Sequence, residues 1–295
     1  MAAVQFRVRP VARFEDFAGQ VSEQVARAVA RQATHIVFPE YFTAGLILSG
    51  AEATSSEEME GLFRQGARAC FPHFDSLMAE LSRRHGVFLI AGTLFYYHPE
   101  EDRHFNASFI YTPDGKRFEQ RKVHPTYELV YNRHLVSGGS SLGVFDLGGI
   151  AVGVPVCYDI QFPEYIRILR LRGADVLAVP GCVFDEWGIR RLLTAGAARA
   201  LENQTYVINC HVVGDLPVPV DRPYRFRGRT SIQAPVSSLF ECPTGVLTEA
   251  PQDEEAIVTY KLDLDLLRKQ REEGLPRLED RRPELYGEIL GGTRT

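Results

Sequence analysis

The chain is 295 residues long, 45% hydrophobic and 24% charged, a balance that excludes a disordered, collagen-like or fibrous protein and leaves ample material for a core. Its 38 acidic and 33 basic side chains give a net charge of -5 and a pI near 5.9. That charge supplies no basic field for phosphate backbones and no polybasic anchor, so neither nucleic acid nor a membrane is expected as a partner.

Short apolar runs alternate with longer amphipathic stretches, the pattern of strands layered with helices. Ala2 to Phe6 reads as a first strand. Phe14 to Ala33 reads as a helix, with Phe14, Phe17, Val21, Val25, Ala28 and Val29 on one face and Glu15 and Asp16 where the helix dipole favours acids. Ile36-Val37-Phe38 is a short buried strand stopped by Pro39, which puts Glu40 at its carboxyl end. Glu57 to His85 is predicted helical with a break near Pro72, and Val87 to Phe95 as one buried strand. Phe105 to Tyr111 and Arg117 to Arg121 flank the turn sequence Thr112-Pro113-Asp114-Gly115-Lys116, a hairpin. Gly143 to Leu147 and Ile150 to Val156 surround Gly148-Gly149, a second hairpin whose last strand runs up to Cys157.

Pro163 suits the first turn of a helix that carries Ile166, Ile168, Leu169 and Leu171 and ends at Gly173. A strand over Asp175 to Pro180 and a helix over Trp187 to Leu201 follow, the helix containing the small-residue run Ala195-Gly196-Ala197-Ala198. Further strands are expected at Thr205 to Val213, Ser231 to Gln233 and Ala256 to Leu262, with a last helix from Asp263 to Arg271. No linker or repeat interrupts the first part of the chain, which reads as one domain over residues 1–275 and a charged C-terminal tail over 276–295. The loop from Gly214 to Gly228, rich in proline and arginine, is a candidate wall of an active site.

The N-terminus shows no apolar signal region, and the longest apolar stretch, Leu142 to Tyr158, is too broken by Asp146, Pro155 and glycines to cross a bilayer. The five cysteines, Cys70, Cys157, Cys182, Cys210 and Cys242, are scattered and form no C-x-x-C pair, so neither a disulfide framework nor a zinc site is expected and a reduced cytoplasmic setting fits. Cys210-His211 lies inside a strand, where neighbours point to opposite faces and cannot chelate one ion together. No glycine-rich phosphate loop follows a strand. No metal and no nucleotide cofactor are therefore expected.

Reactive side chains stand just past buried strands at Glu40, Lys122, Cys157 and Cys182, and open α/β sheets form ligand sites at such strand ends. A cysteine is a strong nucleophile as its thiolate, a carboxylate can take the thiol proton and later activate water, and a protonated lysine can hold an oxyanion. Each residue alone also has a plain reading: a core cysteine, a solvated lysine, a turn glutamate.

Taken in order, the segments FPE with Glu40, RK-x-H with Lys122 and His124, CYD-x-x-FPE from Cys157 to Glu164, RALENQTYV at 199–207, LDLDLL at 262–267 and the DRRPELY tail resemble the nitrilase, or carbon–nitrogen hydrolase, superfamily. The resemblance runs from residues 2–5 to 280–287. It implies a four-layer α-β-β-α sandwich and a Glu-Lys-Cys triad at Glu40, Lys122 and Cys157. It further implies Glu128 as a second acid toward substrate, and the Tyr158 N–H as partner of Lys122 in the oxyanion hole. Hydrolysis of a small linear amide or carbamoyl compound through a cysteine thioester, without a cofactor, is the implied activity. The same triad also serves acyl or amide transfer, and a non-catalytic scaffold could keep the fold. KVHPTYE with ARALENQ resembles a branch sometimes fused to an acetyltransferase domain. The resemblance also implies at least a homodimer, paired through Ile166, Leu169, Trp187 and the Ala195–Ala198 run. His124 is expected to orient the lysine loop, Cys182 to line the site or the core, and Cys157 to be labelled ahead of the other thiols by a slow thiol reagent or a poor amide substrate.

Overall fold

The computed structural model describes residues 1–48, 56–126, 136–216 and 224–292. In chain order the first half holds β1 (Ala2–Arg7), α1 (Phe14–Ala30), β2 (His35–Val37), α2 (Ala44–Leu48), α3 (Ser56–His85), β3 (Phe88–Ile90), β4 (Leu94–His98), β5 (Arg103–Tyr111) and β6 (Arg117–Arg121). The second half holds β7 (Val144–Asp146), β8 (Ala151–Gly153), α4 (Pro163–Leu171), β9 (Val176–Gly181), α5 (Glu186–Asn203) and β10 (Tyr206–Leu216). Then come β11 (Tyr224–Phe226), β12 (Ser231–Gln233), β13 (Val246–Glu249), β14 (Ala256–Thr259), α6 (Leu264–Glu273) and α7 (Pro283–Gly292).

The main path of the sheet runs β4-β5-β3-β2-β1-β10-β9-β8-β7. Among the described residues its two halves are hydrogen-bonded where β1 and β10 pair, at Phe6 opposite Val212 and Arg7 opposite Val213, so each half can curl over the other. The alternation of strand side chains then sorts the core into layers. Ala3, Val37 and Ile90 of the first half pack against Val152, Val176, Ala178 and Ile208 of the second. Val4, Ile36 and Leu89 face outward onto α1 and α3, while Leu177 and Val179 face α4 and α5. Helix, sheet, sheet, helix is the expected four-layer α/β sandwich.

Several local expectations are corrected. α3 continues through Pro72 as one helix, because Phe74, Met78 and Leu81 beyond it are buried against the first half-sheet and that burial outweighs the local cost of proline. The single strand expected at 87–95 is two, β3 and β4, which follow one another along the same edge of β5 with the register slipping by one residue between Ile90 opposite Ile110 and Leu94 opposite Ala107. Gly92 makes the break, at φ +54. The strand expected to reach Cys157 ends earlier, and Cys157 instead opens a 3₁₀ turn, Cys157–Gln161. The tail beyond residue 275 carries a helix, α7, so α6 is not the last. The ends of the Gly214–Gly228 loop are a strand pair, Gly214 opposite Phe226. Ile166 and Leu169 have no exposed surface; they belong to the chain's own core and cannot form an intersubunit face.

Candidate active site

Glu40 is held by a crossing of backbones past the end of β2. The Phe38 N–H donates to Ile90 O at 2.9 Å and the Thr93 N–H to Pro39 O at 3.3 Å, while the Tyr41 N–H donates to Thr93 Oγ1 at 3.2 Å. A Cβ on Gly92 would run into Pro39 O, so only glycine allows this approach. The result buries Glu40 to 1% exposure. Its Oε1 accepts from Asn106 Nδ2 at 2.7 Å and from Lys122 Nζ at 2.9 Å.

Lys122 follows β6, with its N–H donating to Asn106 O at 2.8 Å, so one β5 residue fixes both the backbone of the lysine and the carboxylate it meets. Among the described residues, Glu40 and Thr126 Oγ1, the latter at 3.0 Å, take two of the three ammonium N–H groups. Burial works against the charged lysine, but the charges of Glu40 and Asp159 and the Glu40 hydrogen bond outweigh it and raise its pKa. Lys122 is a fixed cation. A buried ion pair of this kind persists only when its remaining groups are also bonded, and Asn106 and Thr126 supply those bonds.

Cys157 sits at φ +50, a left-handed conformation costing about 1–3 kcal/mol for a residue with a side chain, and its Sγ donates to Cys182 O at 3.6 Å. Burial, then the Glu40 charge, raises the thiol; Lys122 lowers it; the net effect pushes it up to about 12. Cys157 therefore rests as a thiol and needs a base at the moment of attack. Cys242 is less buried than Cys157 and reactivity follows thiolate fraction and access, so the expected preference of a slow thiol reagent or a poor amide substrate for Cys157 rests on engagement with the site.

Of the other expected residues, His124 has its ring stacked on Phe162 at 3.7 Å and 8°, with its Nδ1 2.8 Å from Asp159 Oδ1. Tyr158 is partly exposed with its ring edge-on to Phe162, and its N–H opens a helical turn, where backbone donors have no intrahelical acceptor. Glu128 lies outside the described residues, as do residues 217–223 of the proline-rich loop. Cys182 offers its carbonyl to Cys157, whereas Cys210 is buried, donating toward Val4 O and Val37 O. Among the described residues no group of three or more histidine, cysteine or acidic side chains is placed to hold a metal ion, and no helix is long and apolar enough to cross a membrane.

Three contributors escaped the sequence reading. Asn106 binds Glu40, Asp159 lies under the cysteine turn, and Arg199 of α5 donates through Nε to Ile160 O at 3.0 Å and through Nη2 to Gln161 O at 3.2 Å. A polar residue inside an apolar strand was the only local signal of Asn106, whereas Asp159 and Arg199 lay in the segments CYD-x-x-FPE and RALENQTYV without their partners being readable there.

The profile of the carbon–nitrogen hydrolase family matches residues 1–272. The chain belongs to that family. Membership places it among hydrolases acting on non-peptide carbon–nitrogen bonds. It is 30% identical over 289 residues to a probable hydrolase, YhcX, of Bacillus subtilis, covering 97% of this chain but 54% of that protein, so the chain spans about half of that relative's length. It is 29% identical to a 2-oxoglutaramate amidase of the same organism, covering 93% of this chain and 97% of the relative. It is also 29% identical to a nitrilase of Pyrococcus abyssi, over 90% and 91% of the two chains. Among solved structures, a carbon–nitrogen hydrolase from Helicobacter pylori superposes with a TM-score of 0.80 at 18% identity, covering 100% of this chain and 99% of the other. That likeness supports the same sandwich fold.

Proposed function

We propose that this family member is an amidase that hydrolyses a small linear amide or carbamoyl compound through a thioester on Cys157. One observation carries the reading: a buried Lys122–Glu40 ion pair that acts electrostatically on a thiol held at a left-handed turn. As Cys157 Sγ bonds to the substrate carbonyl carbon, its proton passes to Glu40. Lys122 and the Tyr158 N–H stabilise the oxyanion. The C–N bond then breaks, the leaving amine or ammonia takes the proton from Glu40, and the thioester remains. Water, deprotonated by Glu40, attacks the thioester, and the acid product leaves as the thiol is restored. Glu128 is assigned to orient the substrate.

The relatives named an amidase and a nitrilase support carbon–nitrogen chemistry without fixing the substrate. A panel of simple amides, ω-amides, N-carbamoyl compounds and nitriles, assayed for ammonia with and without added amine acceptors, tests the reading. Ammonia release that disappears in Cys157→Ala is expected. A product that forms only with an acceptor would make the protein a transferase, and activity surviving in Cys157→Ala would remove the nucleophile.

The protein is further proposed to act as a homodimer or larger homo-oligomer in a reducing compartment such as the cytoplasm, in keeping with five scattered cysteines that form no C-x-x-C pair. The face nominated in place of Ile166 and Leu169 consists of exposed apolar residues on and beside the outer helices: Leu171, Trp187 and Leu201, with Leu285 and Tyr286 of α7.

A further inference from the structure

Glu40 and Lys122 come from the first half-sheet, and Cys157 follows β8 in the second. Catalysis by this triad needs groups from two halves, joined in the sheet through β1 and β10, to be held in register to well under an ångström. We propose that Asp159 is the positioning residue that sets this register, by tying the backbone after Lys122 to the backbone before Cys157. The proposal rests on the reading of Cys157 as nucleophile.

The Asp159 carboxylate has no exposed surface and both its oxygens are occupied. Oδ1 accepts the His124 N–H at 2.8 Å and faces His124 Nδ1, also at 2.8 Å. Oδ2 accepts the Val123 N–H at 3.2 Å and the Val156 N–H at 3.0 Å. Val123 and His124 are the two residues after Lys122, and Val156 immediately precedes Cys157, so one side chain grips the neighbours of both groups. The donors are backbone N–H groups with fixed directions, and hydrogen bonds to a carboxylate are stronger than neutral ones. The Val156 bond also anchors the entry to the left-handed turn at Cys157, a conformation that persists only where surrounding structure over-determines it. An asparagine has the same shape, yet it presents an NH₂ where two of the donors already point, so it cannot keep the tie.

Asp159→Asn is therefore the test, read by labelling with iodoacetamide and mapping the adducts by peptide mass. The rate constant at Cys157 is expected to fall about 10- to 100-fold while one Cys157 per chain still labels to completion. On an amide that wild type hydrolyses, kcat per labelled site should fall in parallel, with KM within about threefold. A merely structural aspartate would lower the melting temperature or the number of labelling sites and leave the rate constant per site unchanged, and that result overturns the proposal. If Asp159→Asn does not fold, Asp159→Glu keeps the carboxylate but lengthens its arm by one methylene, so it cannot hold the Val123, His124 and Val156 N–H groups at their present spacing. There a fall of about threefold or more per site supports the tie, and an unchanged rate overturns it. Cys157→Ala separates the two claims: turnover surviving there sinks the nucleophile, whereas an inactive Cys157→Ala beside an unimpaired Asp159→Asn sinks only the tie.

Discussion

At neutral pH the Cys157 thiol keeps its proton, because burial and the neighbouring Glu40 carboxylate hold it far above the usual thiol range, at about 12. In the proposed mechanism the same carboxylate is the base that removes that proton when a carbonyl arrives, so Glu40 would both oppose the free thiolate and promote the reaction. Glu40→Gln separates these effects. Turnover should fall by about 10²–10⁴, the usual worth of a positioned base, while the thiol, left with Lys122 as its charged neighbour, titrates at lower pH than in wild type. The wild-type thiolate accumulates only as pH approaches about 12, and the variant's curve lies on the acid side of it. Ultraviolet thiolate absorbance, taken as a difference against Cys157→Ala, measures both curves. Coincident curves would mean that Glu40 does not raise the thiol.

The elements that carry these residues explain what the sequence could and could not disclose. Glu40, Lys122 and Cys157 were legible because each is a reactive side chain just past an apolar run, and because ordered segments around them matched a family pattern. Asn106 was not, since its partner Glu40 is 66 positions away and nothing local distinguishes it from any polar residue in a strand. Arg199 lay in a recognised segment, but its partners, the carbonyls of Ile160 and Gln161, become visible only once α5 packs on the cysteine turn. Pro72 misled because propensity is local, whereas the burial that keeps α3 continuous is tertiary. Two predictions belong at this scale. Arg199→Met should strand two carbonyls, destabilising the protein by about 2–4 kcal/mol in urea unfolding; a change below about 0.5 kcal/mol, typical of neutral surface substitutions, would show that the guanidinium bonds are not structural. Gly92→Ala combines an unfavourable φ with a clash at Pro39 O, so it should cost more than about 1 kcal/mol and reduce kcat by displacing the Glu40 turn. Wild-type kcat in the folded variant would mean that the turn does not place Glu40.

Over the whole molecule, the exposed apolar residues on the outer helices predict self-association, and sedimentation at micromolar concentration should give at least twice the chain mass of 33.1 kDa; a Trp187→Glu variant should shift toward monomer. A single 33.1 kDa species in wild type would exclude the pairing. Stability should also depend on pH through buried histidines, of which His211 and His35 are more deeply buried than His104. Burial pushes His211 from its ordinary 6.5 down to about 4, and burial likewise lowers His35, against the opposing bond to the Leu147 carbonyl. Both are thus neutral in the folded protein at a pH where the unfolded chain binds protons. Between pH 6.5 and about 4 the unfolded state holds more protons, so unfolding becomes easier as pH falls through that window and the His211 contribution is complete above it. From the His211 shift the loss between pH 7 and pH 5 is roughly 2 kcal/mol. Urea midpoints at the two pH values measure it, and His211→Asn, whose side-chain oxygen can take the Arg229 N–H that Nδ1 now accepts at 2.9 Å, should flatten the dependence by about that amount. An equal loss in wild type and variant would assign the pH dependence to groups other than His211.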